Sequence, residues 1–335
     1  MGYENYIKIF YGGFVMKKII SIVLTLALCM SCMMLSSCGK IDAQYTIGIV
    51  QQQEHVALDA ATEGFKQAII DELGEDAVYF DHQNGQGDQQ TCSTIVNQFV
   101  SNGVDLIMAN ATTALQTAAA ATDEIPILGT SVTAYGVALD LSDYTGTVGG
   151  NISGTSDLAP LDKQADMILA WVPDAEKVGL LYCSKEPNSQ YQVDVVKEEL
   201  EEDGLEVMLY PFTDSNDLAQ VCTTAADNCD VIYVPTDNTV AENTGIIDNI
   251  CEPKGIPVIA GEEGICSGCG IATLSISYYD LGYATGKMAV KILRDGADIS
   301  TMPIGFAETQ TPKYNSQNCQ ALGITPLEGY VAIGE

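Results

Sequence analysis

Residues 231–240 carry the pattern from which the rest of the chain can be read. Val231, Ile232, Tyr233 and Val234 form a β-branched and aromatic run, the mark of a strand buried on both faces. Pro235 ends the run, since it has no N–H for the ladder. Thr236, Asp237 and Asn238 follow, all capping residues, and helical spacing then predicts a helix over 239–251. One such loop is satisfied by helix capping alone. Several of them together, at the carboxyl ends of parallel strands, form a place where α/β sheets bind ligands.

The same alternation runs through the chain. Strands are predicted at 45–50, 77–81, 106–109 and 126–128, with helices over 57–73, 89–101 and 113–122 between them. Residues 135–151, rich in Gly, Ser and Thr, break the rhythm and read as an edge segment leading to a crossover. It resumes with helices at 158–171, capped near Ser156 and Asp157, 190–203 and 217–226. Strands are predicted at 178–182, 205–210, 231–234, 257–260 and 271–276. Gly204 and Gly255 sit where helix ends favour a left-handed residue. Leu281, Ala284, Met288 and Ile292 mark a strong amphipathic helix over 278–293. Residues 297–335 have no strong period, and 311–313 read as a last crossover. The fold class is α/β, with two doubly wound, Rossmann-like lobes laid down one after the other.

Composition narrows the function. Fourteen Lys+Arg stand against 45 Asp+Glu, a net of −31. The first 37 residues hold three Lys and one Glu, so the remainder carries 11 basic and 44 acidic groups, a net of −33. Such a surface repels nucleic acid and anionic lipid. Arg294 is the one arginine, which argues against a phosphate clamp.

The first residues point to export. Met16 is followed by Lys17-Lys18 and an apolar run over 19–35, too short for a comfortable span but suited to a signal peptide. The run ends in Leu35-Ser36-Ser37-Cys38-Gly39, which resembles the bacterial lipobox. That resemblance implies lipidation at Cys38, a mature chain beginning there, and Met16 as the start.

Chemistry other than binding finds little support. His55 and His82 lie in no nucleophile elbow or metal motif, and no Walker or dinucleotide glycine fingerprint follows a strand. No cofactor or metal is expected, and no enzyme activity. Cys266-Ser267-Gly268-Cys269 has redox-type spacing but no predicted following helix, so structural or free thiols are favoured. An extracytoplasmic thiol protein using Cys266 and Cys269 remains an alternative.

Several segments together resemble a known family. They are Ile47-Gly48-Ile49-Val50, Glu54-His55, residues 60–65, Asn84-Gly85-Gln86-Gly87-Asp88, residues 234–240, Pro257-Val258-Ile259-Ala260-Gly261-Glu262 and residues 278–283. In this order and spacing they resemble the ABC-transporter substrate-binding lipoproteins of the TrpX type, associated with aromatic amino acids. Where relatives tend to carry Thr-Asp-Pro, this chain has Thr133-Ala134-Tyr135. The resemblance implies a periplasmic-binding-protein type I fold, with three crossing segments as hinge and a ligand between the lobes. The expected division is 1–37 upstream extension and signal peptide, 38–44 tether, 45–154 plus 277–309 lobe 1, and 155–276 plus 310–335 lobe 2. It implies an extracytoplasmic, lipid-anchored, monomeric receptor for an aromatic amino acid, serving an ABC permease and its ATPase. A receptor domain of the same fold feeding a signalling partner is the alternative.

An amino acid dictates the candidate residues. Its carboxylate needs hydroxyl and N–H donors, which Asn110, Thr112, Thr130, Ser131 and Thr133 supply at strand ends of lobe 1. Ser156 adds a hydroxyl at the first crossover. Its ammonium needs acceptors, for which Asp237 and Glu262 are placed in lobe 2, with Asn188, Ser189 and Asn238 adding hydrogen bonds. Glu54 and His55 sit in the first loop, which opens on the cleft. Tyr135, Tyr191, Tyr278 and Tyr279 are candidates for an aromatic wall.

Overall fold

The computed structural model describes residues 43–307 and 309–334. The leader, the start at Met16 and the lipidation position Cys38 lie outside the described residues. No helix among the described residues is long and apolar enough to cross a membrane.

Two sheets are built from thirteen strands. The first holds β1 (Tyr45–Gln51), β2 (Val78–Asn84), β3 (Leu106–Asn110), β4 (Ile127–Thr130), β5 (Ile152–Ser156) and β11 (Gly305–Phe306), in the order β11-β5-β4-β3-β1-β2. All its pairings are parallel. The second holds β6 (Lys177–Cys183), β7 (Glu206–Phe212), β8 (Val231–Val234), β9 (Val258–Ala260), β10 (Ala272–Ser275), β12 (Thr311–Tyr314) and β13 (Val331–Ala332). Their order is β13-β12-β10-β9-β8-β6-β7, with β12 antiparallel to β10. The strand order reverses between β1 and β3 in lobe 1, and between β6 and β8 in lobe 2. These are the switch points where loops splay apart and leave room for a ligand. The register aligns Gln51 with Asn110 and Asn110 with Thr130, so three polar strand ends lie along one rim. Three connections pass between the sheets, after β5, β10 and β11.

Each sheet is covered on both faces. In lobe 1, Ile47, Ile49, Leu106 and Met108 face one helix layer, and Val50, Ile107 and Ala109 face the other. Lobe 2 repeats this with Val178, Leu180 and Tyr233 on one side and Leu181, Ile232 and Val234 on the other. Fully covered parallel strands explain the continuous apolar runs in the sequence.

Some elements differ from the expected ones. The second strand runs on to Asn84, taking in residues expected to be loop. Tyr135–Ala138 is a short helix rather than edge strand. The expected 158–171 helix begins only at Leu161, and neither Ser156 nor Asp157 caps it. With Asp157 as cap, Pro160 would stand at the third helical position, where a donating N–H is required. The expected 239–251 helix is two helices, Asn238–Glu242 and Thr244–Lys254, broken at Asn243. Residues 266–269 form the end of a helix, Glu263–Cys269, and 311–314 are a strand.

Helix Tyr278–Leu293 returns to lobe 1 and lies against Val56–Leu73. The two backbones approach so closely that a Cβ on Gly64 would stand 2.0 Å from the Tyr279 carbonyl oxygen. One on Gly282 would stand 1.9 Å from that of Ala61. Both obstacles are backbone and cannot rotate away. A Gly282→Ala chain is therefore expected to lose about 1–3 kcal/mol or more in a urea melt. Gly245→Ala, in a helix with nothing near the added methyl, should gain about 0.5–1 kcal/mol in the same assay.

Candidate functional site

Loops from both lobes close over a small cavity between them. Lobe 1 contributes His55 and Leu58 after β1, and Ser131 and Thr133 after β4. Lobe 2 contributes Asn188 after β6, Thr236, Asp237, Asn238 and Ala241 after β8, and Glu262 after β9. Asp157 and Tyr278 come from two of the interlobe connections, and the tyrosine hydroxyl donates to Asp157 Oδ2 at 2.9 Å.

Ser131 and Asp157 have open valences toward this space. Ser131 Oγ and Asp157 Oδ1 are buried without a hydrogen-bond partner. Ser131 also holds a left-handed backbone, φ 53°, as does Ala111 after the neighbouring strand, φ 85°. Such strain in non-glycine residues concentrates at ligand sites. Buried polar atoms left unpaired cost about 1–3 kcal/mol each, which makes these two candidates for ligand contact.

Four acids are buried here: Asp157, Glu186, Asp237 and Glu262. Among the described residues no Lys or Arg lines the cavity. The acids are held mainly by helix N-termini. Asp237 accepts from the N–H of Cys183 at 2.7 Å and of Val240 at 2.9 Å. Glu262 accepts from the N–H groups of Gly264 and Ile265. Glu186 accepts from the N–H groups of Asn238 and Thr239 and from both their side chains. Burial, and then the charge of Glu186, pushes Asp237 up to about 8. Burial pushes Glu262 up to about 7 against the opposing pull of its two N–H donors. Asp157 is raised too, by burial.

Asn238 joins the lobes. Its backbone carbonyl accepts from Gln53 Nε2 at 2.5 Å, and its Oδ1 meets His55 Nε2 at 3.1 Å. Because Asn238 Nδ2 donates to Glu186, Oδ1 is the acceptor, and His55 Nε2 carries the hydrogen. Burial lowers the His55 pKa, which favours that neutral form.

The structure sorts the sequence candidates. His55, Ser131, Thr133, Asn188, Asp237, Asn238 and Glu262 line the cavity. Glu54 is exposed and lines none of it. Asn110 turns inward and donates to the Leu58 carbonyl and the Thr62 hydroxyl. Thr130 pairs with the Thr155 hydroxyl, and Thr112 is buried at the start of helix Thr112–Ala121. Ser156 donates to the Thr133 carbonyl, and Ser189 accepts from Asn188 behind the wall. Of the four tyrosines only Tyr278 reaches the cavity. Tyr135 is pinned in lobe 1 with its hydroxyl on the Thr155 carbonyl, Tyr191 lines an open depression beside the cleft, and Tyr279 stacks on Tyr283. Leu58, Asp157, Thr236 and Ala241 were not among the site candidates. Pro160 was the available signal for Asp157, since it rules out a capping role and leaves the carboxylate to be explained. Cys266 and Cys269 are both buried, with burial raising both thiols, which removes the reactive-dithiol alternative. Among the described residues no group of three or more His, Cys, Asp or Glu is placed to hold a metal.

Two polar-lined lobes closed on one cavity at paired switch points match known proteins. The family model for ABC transporter substrate binding proteins matches residues 46–332. The chain belongs to this family. The tyrosine-binding protein of Clostridioides difficile (strain R20291) is 33% identical over 327 residues, covering 93% of this chain and 94% of its own. A Streptococcus pneumoniae ABC domain in complex with L-Trp is 32% identical with a TM-score of 0.82, covering 86% of this chain and 100% of that one. The ligand-free, open form of a substrate-binding protein with adhesive properties from Clostridium difficile is 38% identical, covers 86% and 99%, and has a TM-score of only 0.67. The more identical relative, described as open, superposes less well on this chain, whose lobes touch at Asn238. The substrate-binding protein described here is in the closed arrangement. Proteins of this family are extracytoplasmic and bind solutes.

Removing the Asn238 side chain deletes the His55 contact and one donor to Glu186. Asn238→Ala is expected to open the lobes, read as a larger radius of gyration by small-angle X-ray scattering. Acid burial gives a pH effect with a defined sign. Up to about pH 7 on Glu262 and about pH 8 on Asp237, from about pH 4 upward, the folded chain keeps protons that the unfolded chain has released. Stability is therefore greatest at the acid end of this window and falls as pH rises through it, by up to about 1.4 kcal/mol per pH unit for each proton. The fall in Tm from pH 5.5 to 8 should be shallower in Glu262→Gln.

Proposed function

We propose that this substrate-binding protein holds an aromatic L-amino acid in the interlobe cavity and presents it, closed, to an ABC importer. The observation that carries the reading is the pairing of unpartnered Ser131 Oγ with unneutralised acids around one enclosed space. Asp237 and Glu262 accept from the ligand ammonium, with Asp157 beside them. Ser131 and Thr133 donate to its carboxylate. The Tyr278 ring, Leu58 and Ala241 form the wall for its side chain. The relatives' tyrosine and L-Trp ligands support an aromatic side chain. The chain acts as a monomer, without catalysis, tethered to the outer membrane face by lipid on Cys38, with a permease and ATPase as partners.

A cation entering among buried acids favours their charged forms. Binding therefore releases protons, and affinity rises from pH 5.5 to pH 8. Thermal-shift assays with the twenty amino acids are the test. Tyr, Trp or Phe at about 100 times Kd should stabilise by about 2.7 kcal/mol, a rise of several degrees in Tm. Ser131→Ala should weaken that ligand about tenfold or more while leaving the apo Tm nearly unchanged. A chain stabilised by no amino acid, but by a neutral sugar, would overturn the assignment.

A further inference from the structure

Seven of the eight described cysteines lie in lobe 2, and all eight are buried. Most have partners other than sulfur. The Cys183, Cys269 and Cys319 thiols donate to the carbonyls of Thr213, Ile265 and Ile271, and Cys229 faces the Tyr210 hydroxyl. Cys92 is alone in lobe 1. Cys222 and Cys251 differ. They project from helices Ser215–Asn228 and Thr244–Lys254, and their sulfurs lie 3.7 Å apart.

We propose that Cys222 and Cys251 are an oxidisable pair, joined as a disulfide in the exported protein and bracing the two helices of lobe 2 on which they stand. Three observations lead there. The sulfurs already touch, so bonding needs an approach of only roughly 1.7 Å. The pair spans 29 residues of chain, so the bond restrains a sizeable loop of the unfolded state. Family members work outside the cytoplasm, where disulfides form and persist.

The oxidant is a thiol–disulfide oxidoreductase carrying its own disulfide, met before both helices are packed. Cys222 thiolate attacks one carrier sulfur, forming a mixed disulfide and releasing the other as a thiolate. Cys251 thiolate then attacks the Cys222 sulfur and expels the carrier. The carrier leaves with two electrons and both thiol protons, as a dithiol.

The test is peptide mapping of the full chain exported by a bacterial host, with thiols alkylated in denaturant before digestion. A peptide linking Cys222 to Cys251, two hydrogens lighter than its reduced parts, is expected. Six of the eight thiols named above should then be alkylated. Reductant should lower Tm by roughly 5–10 °C in this chain. It should have no such effect on a Cys222→Ala, Cys251→Ala double variant. Eight alkylated thiols after exposure to an oxidised carrier, or a linkage joining any other pair, overturns the proposal. Mapping uses the unaltered chain, so it decides even where the double variant fails to fold.

Discussion

A carboxyl group is costly to bury unless donors surround it, and four are buried at this cleft with no lysine or arginine among the described residues of its wall. Helix N-termini carry the load. Asp237 and Glu262 are N-caps as well as cavity walls, and Glu186 holds the start of the Asn238 helix from a neighbouring loop. These helices are short, so their first turns are most of their length. Each acid thus has two dependencies in one side chain: without the helix start it has no donors, and without the acid the helix start has bare N–H groups. The geometry of the cavity is consequently inseparable from the geometry of the loops that follow the strands.

Closure adds a second constraint. Shutting an empty cleft brings Asp157, Asp237 and Glu262 around a space with no cation in it, and burial raises all three. The contacts that offset this are few. Gln53 and His55 hold Asn238 across the gap, and Tyr278 ties Asp157 between two of the connections. Modest latching contacts are thus set against buried acids, and a ligand that compensates those acids favours closure by its differential affinity for the closed form.

Much of this fold was readable from periodicity. Strand β8, the 278–293 helix and the repeat of the α/β rhythm in a second lobe all follow from uninterrupted apolar runs and helical spacing. The failures have physical causes. Helix Glu263–Cys269 contains two glycines and starts from an unusual Glu cap, so its local propensity is poor. Gly268 is there because a Cβ would stand 2.2 Å from Thr244 Oγ1, a tertiary requirement invisible along the chain. At the site, strand alternation made one residue decisive. Thr130 ends its strand facing Thr155, while Ser131, one step on and left-handed, faces the cavity. Asn110 likewise stops within the lobe. Gln51, Gln52 and Gln53, beyond the predicted 45–50 strand, are buried because their amides fasten the Val56–Leu73 helix, the Thr113 N–H and Asn238.

The two rims of the cavity are chemically unequal, and this bears on orientation. Lobe 1 presents the free hydroxyl of Ser131 and the Thr133 side chain, whereas lobe 2 presents carboxylates whose N–H donors are already in use. A carboxylate laid against lobe 2 would meet like charge at low dielectric. An ammonium laid against lobe 1 would face the hydroxyls of Ser131 and Thr133 and forgo the acids. In the proposed reading a zwitterion has one favourable direction across the gap, with its cationic end toward Asp237 and Glu262. A neutral polyol would have no such preference and would leave the acids uncompensated, so the same charge would discriminate between the two ligand classes.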